Sequence, residues 1–490
     1  MSGLHPAVQI TEDGDQVRLW GPHVGRGVVL TAEGWAQRDQ RPGLQLRLER
    51  LGLGAEVDRG RWIPCRHLAT LCLPEEPSLW APLPQRHQAG GHPYRRLPLD
   101  ATGLAVWRAL NGRRTVHDVA RAVGVEPEEV LSRLTPWMAE EVQAVQLRPS
   151  PPSHRDPSLR TLFGAPRQPN HRDASMHDPS GGTTLVDWHV DAIVDGATHF
   201  DDHETTIAHA LALPHPGLGM RPYGAALRQA LGHDGPVVEV GCGTGELARD
   251  WLSAGAVPYL RVDLSPELLR TQALTAPRSA GLLADATRLP LARHSVPFLL
   301  SNEVLADLRS VPVDRLRGEE AARAAAYRVQ PQGFANVGAW AFVAELARVL
   351  APGGEACLTE FGTVDGAAQE AVQLDHPEVS IAFDLLGEVA RHHGLQPELV
   401  RLDHLLSMDL HAPQLTRVAY RALRALCRAR GEHLSARAWT PDTLPLPCAV
   451  EGLSWTTLAD EGPGPLATRF YALRLRQPSA NAPSHSAPTP

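Results

Sequence analysis

The chain has 490 residues, 43% of them apolar, and a formal net charge of −8. That length exceeds one ordinary domain, and the apolar content suffices for two or three cores. The acidic balance excludes broad binding to nucleic acid or to an anionic membrane surface, since both reward a basic face.

The start, "MSGLHPAVQITEDGD", lacks a basic opening followed by an apolar stretch, and no window reaches the length of a membrane span. Six cysteines include no C-x-x-C pair. They read as reduced thiols, and a cytoplasmic protein without membrane association is expected.

In chain order, "VQITEDGDQVRLWG" alternates like a hairpin, while residues 46–94 give no chemical signal. From Ala101, "GLAVWRAL" reads as a helix stopping at Asn111 and Gly112. Thr115 and Asp118 then form a capping-box pattern before "TVHDVARAVG", and "EPEEVLSRLTPWMAEEV" makes a third helix leading into the strand-like "QAVQL". Three short helices and a strand predict a winged-helix-like part over about 95–147, within an N-terminal α+β region 1–147. Its third helix carries Glu126, Glu128, Glu129, Glu140 and Glu141 against Arg133, which repels a phosphate backbone. This stretch, through Trp107 and the "NGRRTV" turn, resembles the small peptide-binding domains of the PqqD type. The resemblance implies peptide recognition; a packing or dimerisation module is the other reading.

Residues 148–182 are dense in Pro, Ser, Asp and His without periodicity and read as a linker. Residues 477–490 form a low-complexity tail that is expected to be disordered, leaving 183–476 as the second domain. The segment beginning "FDDHETTIAHALALPHPG" reads as a polar lid, with Tyr223 placed to stack on a ligand. His199 and His203 lack a third well-placed ligand, so no metal is expected.

The chemical signal begins at "VVEVGCGTGELARDWL", an apolar run, a turn with Gly241, Gly243 and Gly245, and a helical pattern. Glycine there permits positive φ and a close backbone approach to a ligand at a helix N-terminus. Four further strand-like runs follow: one ending at Asp263, one with Asp285 at its end, one ending at Asn302 and Glu303, and "LTEFG" with Glu360. Polar groups thus recur at strand C-terminal ends, where open α/β sheets hold ligands. A nicotinamide site would put its third glycine at position 246, where this chain has Glu246.

The acid-x-G-x-G-x-G pattern of Glu239, Val240, Gly241, Cys242, Gly243, Thr244 and Gly245 resembles class I S-adenosylmethionine-dependent methyltransferases, and the likeness runs from Pro236 to Gly362. It implies an α/β fold with a Rossmann-like, mostly parallel sheet and an antiparallel closing strand. It also implies S-adenosyl-L-methionine as cofactor. Glu239 and the turn Gly241, Cys242, Gly243 and Gly245 would hold the methionine end, Asp263 the ribose, with Leu264 beside it, and Asp285 and Ala286 the adenine. Asn302 would lie against the cofactor, and Glu303 would orient or deprotonate the acceptor with Asn302 and Glu360 in support. "SNEVLADLRSVPV" and "DHPEVSIAFDLLGEVARHHGL" resemble the MidA-like branch, which includes protein arginine methyltransferases. The expected reaction is methylation of nitrogen or oxygen on a peptide or protein, with a small metabolite as second choice and a non-catalytic cofactor-binding assembly protein as the rival. The oligomeric state is not legible.

Overall fold

The computed structural model describes residues 7–21, 24, 26–36, 44, 48, 51, 53, 59–66, 70–82, 94–139, 142, 144–149, 206–373, 376–432, 434, 438–444, 446, 449–460 and 468–479. The expected linker beyond Pro149, His199, His203, Glu140 and Glu141 lie outside them. Contacts divide the chain into two compact units. One gathers Met1–Pro166, Leu415–Leu434 and Pro445–Trp455; the other gathers Arg167–Gln414, Ser435–Leu444 and Thr456–Pro490. The helix Arg417–Ala429 therefore packs with the first unit, where the sequence analysis puts it within 183–476. Among the described residues no helix is long and apolar enough to cross a membrane.

In the first unit the alternating opening forms the hairpin Gln9–Asp13 and Gln16–Gly21, extended by Arg26–Thr31. The helices Ala101–Ala109, Val116–Val123 and Pro127–Trp137 follow, and Val145–Arg148 pairs antiparallel with Ile63–Arg66. Thr115 and Asp118 close the capping box as the spacing predicts. Trp107 and Trp137 meet edge-on at 6.0 Å in the core, and the guanidinium of Arg66 covers the Trp107 ring at 4.7 Å.

The second unit is built on one sheet. Its strands are β1 Val237–Val240, β2 Tyr259–Asp263, β3 Ala280–Leu283, β4 Val296–Asn302, β5 Leu350–Thr363, β6 Gln396–Arg401 and β7 Phe470–Arg476. Their spatial order is 3-2-1-4-5-7-6, with the short strand Ile381–Ala382 added on β5. β1 to β5 run parallel, and β7 runs antiparallel to both β5 and β6. Four helices used below are α1 Ile207–Ala210, α2 Tyr223–Leu231, α3 Glu246–Ser253 and α4 Pro266–Thr275.

Both faces of the sheet are covered, which explains why its strands read as near-continuous apolar runs rather than alternating ones. One core holds Val238, Val240, Leu299 and Leu358 with the helix Val337–Val349; the other holds Val237, Leu300, Cys357 and Phe470 with α2 and α3. Chain order reverses between β1 and β4: the strands step outward from β1 through β2 to β3, then return to its other side. The crevice above the C-terminal ends of β1 and β4 is thus the topological switch point, the usual ligand position of such sheets.

Candidate active site at the sheet switch point

The glycine turn joins β1 to α3. Gly241, Gly243 and Gly245 have φ of 72°, 49° and 91°, all in the left-handed region that penalises a side chain. A Cβ on Gly241 would collide with Val304, and one on Gly245 would stand 3.2 Å from Cα of Gln272. The turn therefore closes tightly on the segment after β4 and on α4.

Asp263 ends β2, buried beside this turn. Its Oδ2 accepts from the Cys242 N–H at 3.1 Å and from Nε2 of Gln272 at 2.9 Å, and its Oδ1 accepts from the Ser265 N–H at 2.9 Å. The carboxylate is thereby tied to the glycine turn on one side and to the start of α4 on the other. Leu264 is partly exposed next to it.

The geometry gives four of the expected residues particular surroundings. Glu239 does not point into the crevice: its buried carboxyl accepts from the Tyr259 hydroxyl at 2.9 Å, and burial raises its pKa to about 8. Side chains alternate along β1, and position 239 shares the face of Val237, which packs with α2 and α3. Asp285 does not end β3, which stops at Leu283. The exposed Asp285 makes a local turn in which Oδ1 accepts from the Thr287 N–H and hydroxyl at 2.7 and 2.8 Å. Ala286 is buried behind it.

Glu360 lies inside β5 rather than at its rim. It is 1% exposed, and it accepts from the Ala306 and Phe361 N–H groups at 3.1 and 3.0 Å. Burial, then the nearby Glu378 and Glu303, raise its pKa well above the ordinary carboxylate value. Tyr223 does not stack on a ligand either: it is fully buried at the start of α2, and its hydroxyl donates to Oδ1 of Asn302 at 2.7 Å.

Asn302 and Glu303 stand together at the end of β4. Oδ1 of Asn302 takes a second bond from the Thr359 hydroxyl at 2.7 Å, which fixes the amide so that Nδ2 donates to Oε1 of Glu303 at 3.0 Å. The same Oε1 accepts from the Ile207 N–H of α1 at 2.8 Å. Glu303 is partly exposed and has φ of 56°, an uncommon backbone state for a non-glycine residue and one that clusters at functional sites. Its N–H donates to the Thr359 carbonyl, which pins this conformation. Desolvation, reinforced by Glu378 and Asp307, raises its pKa to about 8, against the bonds from Ile207 and Asn302. A carboxyl poised there changes protonation near neutrality, as a general base requires.

Sequence reasoning missed Gln272, Thr359 and α1. Gln272 shares the buried face of α4 with Leu268, one turn earlier; a polar residue on that apolar stripe was the available cue. Among the described residues no group of three or more His, Cys, Asp or Glu side chains is arranged to hold a metal ion.

Residues 238–337 match a family model described as a methyltransferase domain. No curated protein matches the chain. Among solved structures, the [4+2]-cyclase SpnF is 16% identical over 52% of this chain and 80% of its own, with a TM-score of 0.31. A putative methyltransferase in complex with the Trm112 activator of Haloferax volcanii is 17% identical over 61% and 100%, with a TM-score of 0.30. A putative sarcosine dimethylglycine methyltransferase from Galdieria sulphuraria is 13% identical over 52% and 85%, with a TM-score of 0.30. Scores this low carry no argument about the acceptor.

Proposed function

From the premise that this chain contains a class I S-adenosylmethionine-dependent methyltransferase domain, we propose that it methylates a nitrogen or oxygen atom of a peptide or protein, with Glu303 as the group that takes the acceptor's proton. The observation carrying this reading is Glu303 itself: a partly exposed carboxyl at the switch-point crevice, clamped through Oε1 and raised to about 8. The donor supplies a methyl group on a sulfonium, an excellent leaving group, so the protein's part is to align the acceptor and accept one proton. Bound there, the donor would supply the methyl group, and the Glu303 carboxylate would take the proton that the acceptor atom gives up.

The residues present fit that donor. The left-handed glycine turn allows its backbone to approach a ligand, and Asp263 offers a carboxylate at the strand end where a ribose would lie. A peptide or protein acceptor is favoured by the first unit, whose residues 101–147 resemble peptide-binding domains and whose third helix exposes Glu126, Glu128 and Glu129. A small metabolite is the second reading.

The test is transfer of labelled methyl groups from S-adenosylmethionine into extract of the native cell by the full chain, with Glu303→Gln as control. Label in peptide or protein fractions supports the proposal, and label confined to small molecules selects the metabolite reading. Cofactor binding without transfer to any fraction identifies a non-catalytic assembly protein.

A further inference from the structure

Gln272 belongs to no part of the cofactor motif, yet it is completely buried and touches two of its elements. Its Nε2 donates to the Gly243 carbonyl at 2.8 Å and to Oδ2 of Asp263 at 2.9 Å. Its Oε1 accepts from Nη1 of Arg261 at 2.9 Å. Arg261, itself buried in β2, is held in turn by the hydroxyl and carbonyl of Ser279 at 2.6 and 3.3 Å. A guanidinium has donors only, so it dictates which end of the amide faces it, and the Nε2 end must face the carbonyl and the carboxylate. Every neighbour of the Gln272 amide agrees with that orientation.

We propose that Gln272 is the positioning residue of the methyl-donor site: anchored by Arg261, it locks the Asp263 carboxylate and the glycine turn into one rigid unit shaped for the donor's ribose. Two further contacts join the same parts. The Cys242 N–H bonds to the same oxygen of Asp263, and Gly245 approaches α4 so closely that a Cβ would press on the Gln272 backbone. Without the Gln272 amide, Asp263 keeps the Cys242 and Ser265 N–H bonds but loses the bond from Nε2, and part of the order that a ribose requires must then be supplied at binding, which weakens affinity. This inference rests on the donor assignment and is independent of the acceptor.

The experiment is calorimetric titration of the full chain with two ligands, S-adenosylhomocysteine and its analogue lacking both ribose hydroxyls. Gln272→Ala is expected to bind S-adenosylhomocysteine about tenfold more weakly, the equivalent of one charge-assisted hydrogen bond. Its affinity for the analogue is expected to change less than about twofold, since Asp263 has no hydroxyl to meet there. Gln272→Glu keeps an acceptor for Arg261 but sets a carboxylate against Asp263, so it is expected to lose more than Gln272→Ala. Asp263→Ala is expected to abolish the further effect of Gln272→Ala, because residues acting through one group are not additive.

Equal losses for both ligands would show a merely structural role and overturn the proposal, as would no loss for either. Should Gln272→Ala fail to fold, Gln272→Glu decides by the same comparison between ligands. Failure of the wild-type chain to bind S-adenosylhomocysteine overturns the donor assignment instead, which keeps the two failures distinct.

Discussion

Replacing Glu239 by Gln tests the claim that this motif acid is a buried structural group. The wild-type carboxyl is 1% exposed with a pKa of about 8, against an ordinary value of 4.5. Burial is the main cause; Asp263 adds to it, while the bonds from Tyr259 and Cys242 and the charge of Arg261 oppose it. Because the folded pKa is raised, the folded state holds a proton that the unfolded chain has released throughout the window from 4.5 to about 8. The favourable contribution is therefore complete below pH 4.5 and lost as pH rises through 8.

Each pH unit inside the window removes about 1.4 kcal/mol, so the wild type loses roughly 4 kcal/mol between pH 5 and 8 that a non-titrating residue would not lose. Gln keeps an oxygen for the Tyr259 hydroxyl and cannot ionise. The assay is denaturant unfolding of both proteins from pH 5 to 9, reading the transition of the sheet-containing unit. Other raised acids such as Asp250 and Glu303 titrate in both proteins, so the difference between the curves isolates residue 239. That difference is expected to grow in favour of Glu239→Gln as pH rises. Parallel curves would refute the burial argument.

Turnover of the labelled acceptor fraction is expected to rise with pH through about 8 as Glu303 loses its proton, whereas Glu303→Gln is expected to be slower by about 100-fold or more with no such rise. A variant with full turnover across pH would remove Glu303 from the mechanism. Asp263→Ala is expected to weaken S-adenosylmethionine binding by at least about tenfold, since it removes a carboxylate that organises Cys242, Ser265 and Gln272; unchanged affinity by calorimetry would disprove the assignment. Gly241→Ala is expected to cost about 1–3 kcal/mol of stability, because φ of 72° disfavours a Cβ that would also strike Val304. Thermal unfolding measures this, and an unchanged midpoint would mean that the turn relaxes freely.

The alternation of strands and helices, the glycine turn and the acids at strand ends are legible in the residues alone, because these features are local. Apolar runs bounded by turns predict strands whatever their neighbours, and three glycines between a strand and a helix permit positive φ there. Asp263, Asn302 and Glu303 were found in this way, each by its place at the end of a run. What a side chain does at its position was decided by contacts that local spacing does not encode.

Glu239 and Glu360 lie on strands whose two faces are both covered, so their carboxyls are buried and their pKa values raised. Tyr223 comes 79 residues before Asn302 yet aligns its amide, and the clamp on Glu303 needs an N–H from α1, 96 residues away. Gln272 looked like one more residue of a helix until β2 and the glycine turn closed around it. Chain reversal around β1 sets Asp263, Asn302 and Glu303 at the C-terminal ends of the two strands flanking β1, and desolvation raises the pKa of Glu303 into the range where it can exchange a proton.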